Sequence, residues 1–252
     1  MIVQYRFLCR PKKERLFPSS AYHFYAWLLE QLPDSVAELL HGDAFHPISQ
    51  YLYYDRALHH YVWVLNVLDS ELAIQTDSVF AHTTSLQIDE DLIDLELIER
   101  NAMQCAAEFS HRLPDEAYSQ SFYKITFLTP TAFKVSGRYH IFPSEKLILQ
   151  SLSMQWNAAF QDYSVSDEDA LTMLAQNIHI VDYNLRTTRY LLKGKRIPAF
   201  SGELVLQERL PAPLKQVWDM LARFAPYSGI GIKTTLGMGG IQITLPKFVN
   251  AK

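Results

Sequence analysis

Residues 2–9 (IVQYRFLC) are rich in β-forming side chains and read as a strand. A polar, proline-bounded stretch follows at 11–18, and Ser19 and Ser20 offer hydroxyls for a helix N-cap. Tyr22, Tyr25, Leu28, Leu29 and Leu32 recur at helical spacing and predict an amphipathic helix over 20–32. Asp34 can start a short second helix over 34–41, with Val36, Leu39 and Leu40 apolar. Residues 48–54 and 60–68 read as two strands joined by the polar hairpin loop DRALH. A helix is predicted near 69–77, with further strands to about residue 110. This order is that of a ferredoxin-like βαββαβ unit.

The order then repeats. Residues 111–121 (HRLPDEAYSQS) are polar and contain a proline, and they place a domain boundary between 1–115 and 116–252. A strand is predicted over 122–128, ended by a turn at TPT (129–131). Ser144 can cap a helix over 144–161 that carries Leu147, Leu149, Leu152, Met154, Trp156 and Phe160. Residues 178–192 and 197–206 form a strand pair around Gly194. A helix over 212–225 presents Leu214, Val217, Trp218 and Leu221, and a last strand runs over 241–245. The expected class is therefore α+β, with two tandem ferredoxin-like (βαββαβ, RRM-like) domains.

Composition narrows the picture. A chain of 252 residues suits two domains, and 48% hydrophobic residues supply their cores. No apolar run approaches the roughly 20 residues of a membrane span, and the N-terminus lacks the apolar stretch of a signal peptide. A soluble, cytoplasmic protein is expected. Cys9 and Cys105 fit no C-x-x-C pattern and read as reduced core thiols. The net charge of −4 argues against indiscriminate nucleic-acid binding, but the charge is segregated. Residues 186–196 (RTTRYLLKGKR) hold five cations and no acid, whereas 87–99 (QIDEDLIDLELIE) are strongly acidic. The acidic run, with Asp89, Glu90, Asp91 and Asp94, is expected to be a solvated face. Arg186, Arg189, Lys193, Lys195 and Arg196 would make a hairpin with a basic tip suited to phosphates. Lys12, Lys13 and Arg15 form a weaker second patch.

Residues 229–240 (GIGIKTTLGMGG) hold five of the nine glycines in the chain. Such a segment can press its N–H groups onto phosphates, or it can be a tight connection to the last strand. It is not a P-loop, because no lysine follows a glycine at the required spacing. It is not a dinucleotide fingerprint, because Thr234 stands where the third glycine belongs.

This segment resembles the C-terminal glycine-rich loop of the CRISPR repeat-processing endoribonucleases, members of the repeat-associated (RAMP) superfamily. Residues 127–134 (FLTPTAFK), Gly137 through Ile141-Phe142-Pro143, Trp156-Asn157, Leu40-His41 and 47–51 (PISQY) are similar to family segments in the same order. The resemblance covers nearly the whole chain. It implies metal-independent cleavage of CRISPR repeat RNA with no cofactor. The ribose 2′-OH attacks the adjacent phosphorus, leaving a 2′,3′-cyclic phosphate and a 5′-OH. It also implies an RNA-binding role for Gly229, Gly231, Lys233, Thr234, Thr235, Gly237 and Gly239. The alternative it leaves open is a non-catalytic RNA-binding subunit of a CRISPR effector complex. Association with effector subunits, or as a homodimer, is open as well.

Histidine suits proton transfer near neutrality. His41 stands in the Leu-His position that carries the catalytic histidine in the family the chain resembles. The bland alternative is a histidine favoured by a helix C-terminus. The family's late-helix tyrosine is missing, since Leu29, Glu30 and Gln31 occupy that region, and no lysine lies between Lys13 and Lys124. His46 falls near the place of the family's lysine and is the second candidate, against an ordinary loop histidine. Tyr22 and Tyr25 read as packing residues. His59 and His60 are expected at the surface, and His140 and His179 buried on strands.

Overall fold

The structure is a computed structural model that describes residues 1–13, 15–33, 36, 46–88, 90–110 and 121–245. The first half contains β1 (Ile2–Pro11), α1 (Ala21–Gln31), β2 (Ile48–Asp55), β3 (His60–Val67), α2 (Ser70–Phe80), β4 (Ser85–Ile88) and β5 (Asp91–Met103). Its five strands lie in the order β2-β3-β1-β5-β4. Every adjacent pair is antiparallel. The run β2-β3-β1-β5 is the ferredoxin-like arrangement, with β4 added outside β5. One sheet face meets α1 and α2, where Phe24 and Leu28 from α1 and Leu72 from α2 pack on Phe7, Trp63 and Leu65. Asp69 caps α2 by accepting from the Leu72 N–H at 2.8 Å.

The second half contains β6 (Ser121–Thr131), a hairpin of β7 (Phe133–Val135) and β8 (Arg138–His140), α3 (Glu145–Ala159), α4 (Glu168–Asn177), β9 (Ile178–Leu192), β10 (Lys195–Glu208), α5 (Ala212–Ser228) and β11 (Ile241–Thr244). The sheet order β11-β6-β10-β9 repeats the arrangement of the first. Trp156 from α3 and Trp218, Leu221 and Phe224 from α5 fill a core over Phe127, Phe200 and Leu204. Beneath it, Lys215 and Glu208 form an ion pair of 2.7 Å, both nearly inaccessible to water, and Lys215 also donates to Ser121 at 2.8 Å. Such a pair anchors α5 to β6 and β10, and removing one partner would strand the other charge.

Several expectations change. The proposed turn at 129–131 is part of β6, which continues through Pro130. The ladder to β10 shifts register between Phe200 and Gly202, so the proline sits where the pairing is already irregular. Helix α4 has no counterpart in the reading of the sequence. Only Leu174 of its residues is buried, which leaves a weak apolar stripe, although Asp167 caps it through the N–H groups of Asp169 and Ala170. Cys9 is buried, as expected, and burial pushes its thiol up to about 12, but Cys105 is exposed. His140 and His179 are exposed rather than buried, while His59 and His60 lie at the surface. The acidic run is not wholly solvated. Asp91 is buried and accepts from the N–H groups of Lys12 and Lys13 at 3.1 and 2.9 Å. The second helix expected over 34–41 and the linker at 111–121 fall almost entirely outside the described residues.

Candidate functional site

The two halves meet along β2. Successive side chains of a strand point to opposite faces, yet residues 48–52 are all buried, so both faces of β2 are covered. On the face bearing α1, Gln50 accepts from the Trp63 indole at 2.9 Å and donates to the carbonyls of Ala21 and Thr235 at 2.9 and 2.8 Å. On the other face, the Ser49 hydroxyl donates to the carbonyl of Tyr227 at 2.6 Å, and Asn66 donates to Ser49 at 2.9 Å. Tyr51 reaches the carbonyl of Ile241 at 3.4 Å, and burial raises its hydroxyl pKa far above the ordinary phenol value. The edge strand β2 of the first sheet is thus bonded to the end of α5, the glycine-rich segment and β11.

Most N–H groups of the glycine-rich segment bond to the protein itself. Ile230 donates to Gly239, Ile232 to Ala132 and Gly239 to Pro130, at 2.9, 3.0 and 3.2 Å. Gly231 and Gly240 donate to the hydroxyls of Ser151 and Thr129 at 2.8 and 2.9 Å. A Cβ on Gly240 would lie 2.3 Å from the ring of Tyr51. On Gly237, which has φ +96°, it would lie 2.4 Å from the Tyr190 hydroxyl and 2.6 Å from Ala21 Cβ. Gly229, Gly237 and Gly239 are buried, and so are Thr234 and Thr235. The Thr235 hydroxyl is spent on the carbonyl of Ile48 at 3.0 Å. These glycines allow backbone to pack against the first sheet. Lys233 is the exposed residue of the segment, held at φ +58°.

His46 stands just before β2 and is half-buried. Two residues on, Ile48 receives the Thr235 hydroxyl, so this histidine neighbours the glycine-rich segment along the chain path. Its Nδ1 is buried and has no hydrogen-bond partner among the described residues. His41 lies outside the described residues.

The hairpin of β9 and β10 turns through Lys193 and Gly194, both at positive φ, the pattern of a two-residue primed turn. Its five cations are exposed but do not form one stripe. Cross-strand partners share a face, so Arg189, opposite Pro198, and Arg196, opposite Leu191, lie on the face of Phe200 and Leu204. Arg186 lies opposite Ser201 on the reverse face and donates to its hydroxyl at 3.1 Å. The Tyr190 hydroxyl lies 3.2 Å from the carbonyl of Pro18 and 2.6 Å from that of Leu236. The Lys193 ammonium lies 4.9 Å above the ring of Tyr22. The hairpin tip, the start of α1 and the glycine-rich segment are thus brought together, with Lys193 at that junction. Arg186 and the patch at 12–15 stand apart from it. Lys12 is paired with Asp94, Lys13 bonds the carbonyl of Glu90 at 3.0 Å, and Arg15 lies over Phe17 at 5.9 Å.

Sequence reasoning missed Gln50 and the contact role of Tyr22. A glutamine inside the run ISQYLYY was the available signal for Gln50, since a polar side chain in a buried strand needs partners. Tyr22, read as packing, is half-buried and also carries the cation. Among the described residues, no group of three or more His, Cys, Asp or Glu side chains could hold a metal ion. No helix among them is long and apolar enough to cross a membrane.

Two ferredoxin-like sheets joined through a glycine-rich connection define an α+β protein of the tandem ferredoxin-like class. The profile of the family described as CRISPR-associated endoribonuclease Cas6 matches residues 125–241. The chain is 33% identical over 227 residues to a CRISPR-associated endoribonuclease Cas6 of Streptococcus thermophilus, covering 88% of this chain and 90% of that one. It is 26% identical over 228 residues to a Mycobacterium tuberculosis protein of the same name, covering 88% of this chain and 70% of that one. Among solved structures, a Cas6 product complex superposes with a TM-score of 0.73 at 23% identity, covering 96% of this chain and 99% of the other, which bears on the fold alone. The chain belongs to the CRISPR-associated endoribonuclease Cas6 family.

Proposed function

We propose that this protein cleaves CRISPR precursor RNA within its repeats, without a metal. The observation that carries this reading is the 33% identity, spread over 227 residues, to a protein named as such an endoribonuclease. The substrate supplies the nucleophile. The 2′-oxygen forms a bond to phosphorus, the bond from phosphorus to the 5′-oxygen breaks, and a cyclic phosphate and a 5′-OH result. One group must take the 2′-OH proton and another must protonate the leaving oxygen. His41 and His46 are assigned to these transfers. His46 is supported by its place just before β2, two residues from the Ile48 carbonyl that accepts from Thr235 of the glycine-rich segment.

Phosphate binding falls to the exposed cations Arg186, Arg189, Lys193, Lys195, Arg196 and Lys233. Gly229, Gly231, Gly237, Gly239, Thr234 and Thr235 act by shaping the wall that carries Lys233. The units 1–115 and 116–252 then divide the work, the first supplying the histidines and the second the cationic surface. The partner this reading requires is CRISPR repeat RNA, and the working compartment is the cytoplasm.

The test incubates the purified protein with its cognate repeat RNA in excess EDTA, beside His41→Ala and His46→Ala variants. The expected result is cleavage by the parent, with a 2′,3′-cyclic phosphate terminus, and a loss in each variant of about a hundredfold or more. RNA binding without cleavage by the parent would instead identify a non-catalytic RNA-binding subunit.

A further inference from the structure

The second half exposes an aromatic pair far along the sheet from the hairpin tip. Phe142 and Tyr183 meet edge to face, their ring centroids 5.6 Å apart and their planes at 87°. Each is more than half exposed, at 55% and 57%. Tyr183 lies opposite Leu204 on β9, so it shares the sheet face that carries Arg189, six residues further along the edge strand. Six residues of strand span roughly 20 Å.

The β7–β8 hairpin adds charge beside this pair. Phe133 stacks on Phe200 and fixes the hairpin to the sheet, with ring centroids 6.2 Å apart. Lys134 and Tyr139 are cross-strand partners on the face opposite Phe133, and both are exposed. Arg138, opposite Val135, and His140, opposite Phe133, lie on the hairpin's other face and are exposed too, and the stretch 133–142 contains no acid. The nearest acids are otherwise engaged or face away. Glu145 accepts from the Ile180 N–H at 2.8 Å, Asp182 lies opposite Val205 on the strand, and Glu203 pairs with Lys124 at 2.6 Å. Exposed rings set among cations, with no acid in the same stretch, are what unpaired nucleotides recognise. Bases stack on the rings and phosphates meet the cations.

We propose that Phe142, Tyr183, Tyr139 and Lys134 form a stacking platform for single-stranded RNA, separate from the seam beside His46. This rests on the reading that the protein binds RNA. The ribbon from Tyr183 to Arg189 along β9 gives the strand a path toward the hairpin tip.

The test uses the full chain and two labelled probes: a single-stranded oligouridylate of about 12 nucleotides and a blunt RNA duplex. Both are titrated against the parent, a Phe142→Ala/Tyr183→Ala variant and a Phe142→Tyr/Tyr183→Phe variant. The alanine pair is expected to weaken oligouridylate binding about tenfold and leave duplex binding unchanged. The conservative pair is expected to bind both probes as the parent does. Should the alanine pair fail to fold, Lys134→Ala gives the second measurement. It is expected to lower the salt dependence of oligouridylate binding by roughly 0.7 in the log–log slope. Parental oligouridylate affinity in a folded alanine pair overturns the platform and assigns this face to a protein partner. Equal loss on both probes also overturns it. A parent that binds duplex but not oligouridylate sinks the platform alone, whereas a parent that binds neither probe sinks the RNA reading with it.

Discussion

The glycine-rich segment and the β9–β10 hairpin are both candidate phosphate binders by composition, yet they are built in opposite ways. The segment turns inward, with Ile230, Gly231, Ile232, Gly239 and Gly240 donating to other parts of the protein. The hairpin turns outward, with Arg189, Lys193, Lys195 and Arg196 exposed around a two-residue turn. Glycine content reports that backbone comes close to something. It does not report whether that neighbour is a phosphate or Tyr51. A run of cations has fewer options, because burying it unpaired would be prohibitive.

If the segment is a seam, damage to it should be structural first. Gly240→Ala places a methyl 2.3 Å from the Tyr51 ring, which is held in the interface by Leu8, Val62 and Val64. The expected destabilisation is about 3 kcal/mol, at the upper end for overpacking. Urea unfolding should show it as a lower midpoint. Adding Tyr51→Ala should cost less in the Gly240→Ala background than in the parent, because the two changes share one clash. Independent, additive losses would break the comparison.

Gln50→Ala should come next. It leaves the Trp63 indole N–H without its acceptor and the carbonyls of Ala21 and Thr235 without that donor. The expected loss is about 2 kcal/mol, read by the same unfolding experiment. Because two of the bonds lie on opposite sides of the seam, cleavage should fall with stability.

The ferredoxin-like repeat was legible because its strands and helices carry long, regular apolar patterns. β9, β10, α3 and α5 all lie where periodicity placed them. Pro130 misled the reading because proline was taken as a strand end, whereas the ladder to β10 slips at that point. Helix α4 was missed because it buries little beyond Leu174. At the site, the cations were legible as residues, but their division between two faces of the hairpin depends on register, which one strand cannot reveal. Gln50 was hidden for a related reason. Its three partners lie 13, 29 and 185 residues away.

The hairpin side of the comparison calls for a binding measurement. Arg189→Ala and Arg196→Ala lie on one face and Arg186→Ala on the other. The first two together should weaken repeat-RNA binding about tenfold and lower the log–log salt slope by roughly 2, with melting temperature unchanged. Arg186→Ala should do less, because its guanidinium is already bonded to Ser201. Equal effects from both faces would mean that RNA wraps the hairpin rather than lying on one side.

The smallest effect should separate the seam from its rim. Ser49, Gln50, Asn66 and Thr235 do not titrate in acid, so the seam they form should tolerate low pH. Its rim should not. Arg6 bonds Glu99 at 2.6 Å and the Tyr53 hydroxyl at 3.0 Å. The hydrogen bonds from Arg6 and then Asn101 hold the Glu99 carboxyl below the usual range, against a smaller opposing effect of burial. A depressed folded-state pKa means that Glu99 stabilises the fold above its unfolded value of about 4.3, and that this contribution is lost as pH falls through the folded value. Both side chains are partly exposed, at 30% and 41%, so solvent screening keeps the contribution to about 0.5 kcal/mol. Glu99→Gln should therefore be slightly less stable than the parent at pH 7, and the difference should close as the pH is lowered below 4. A gap of the same size at every pH would mean that Glu99 acts through shape and hydrogen bonding rather than through its charge.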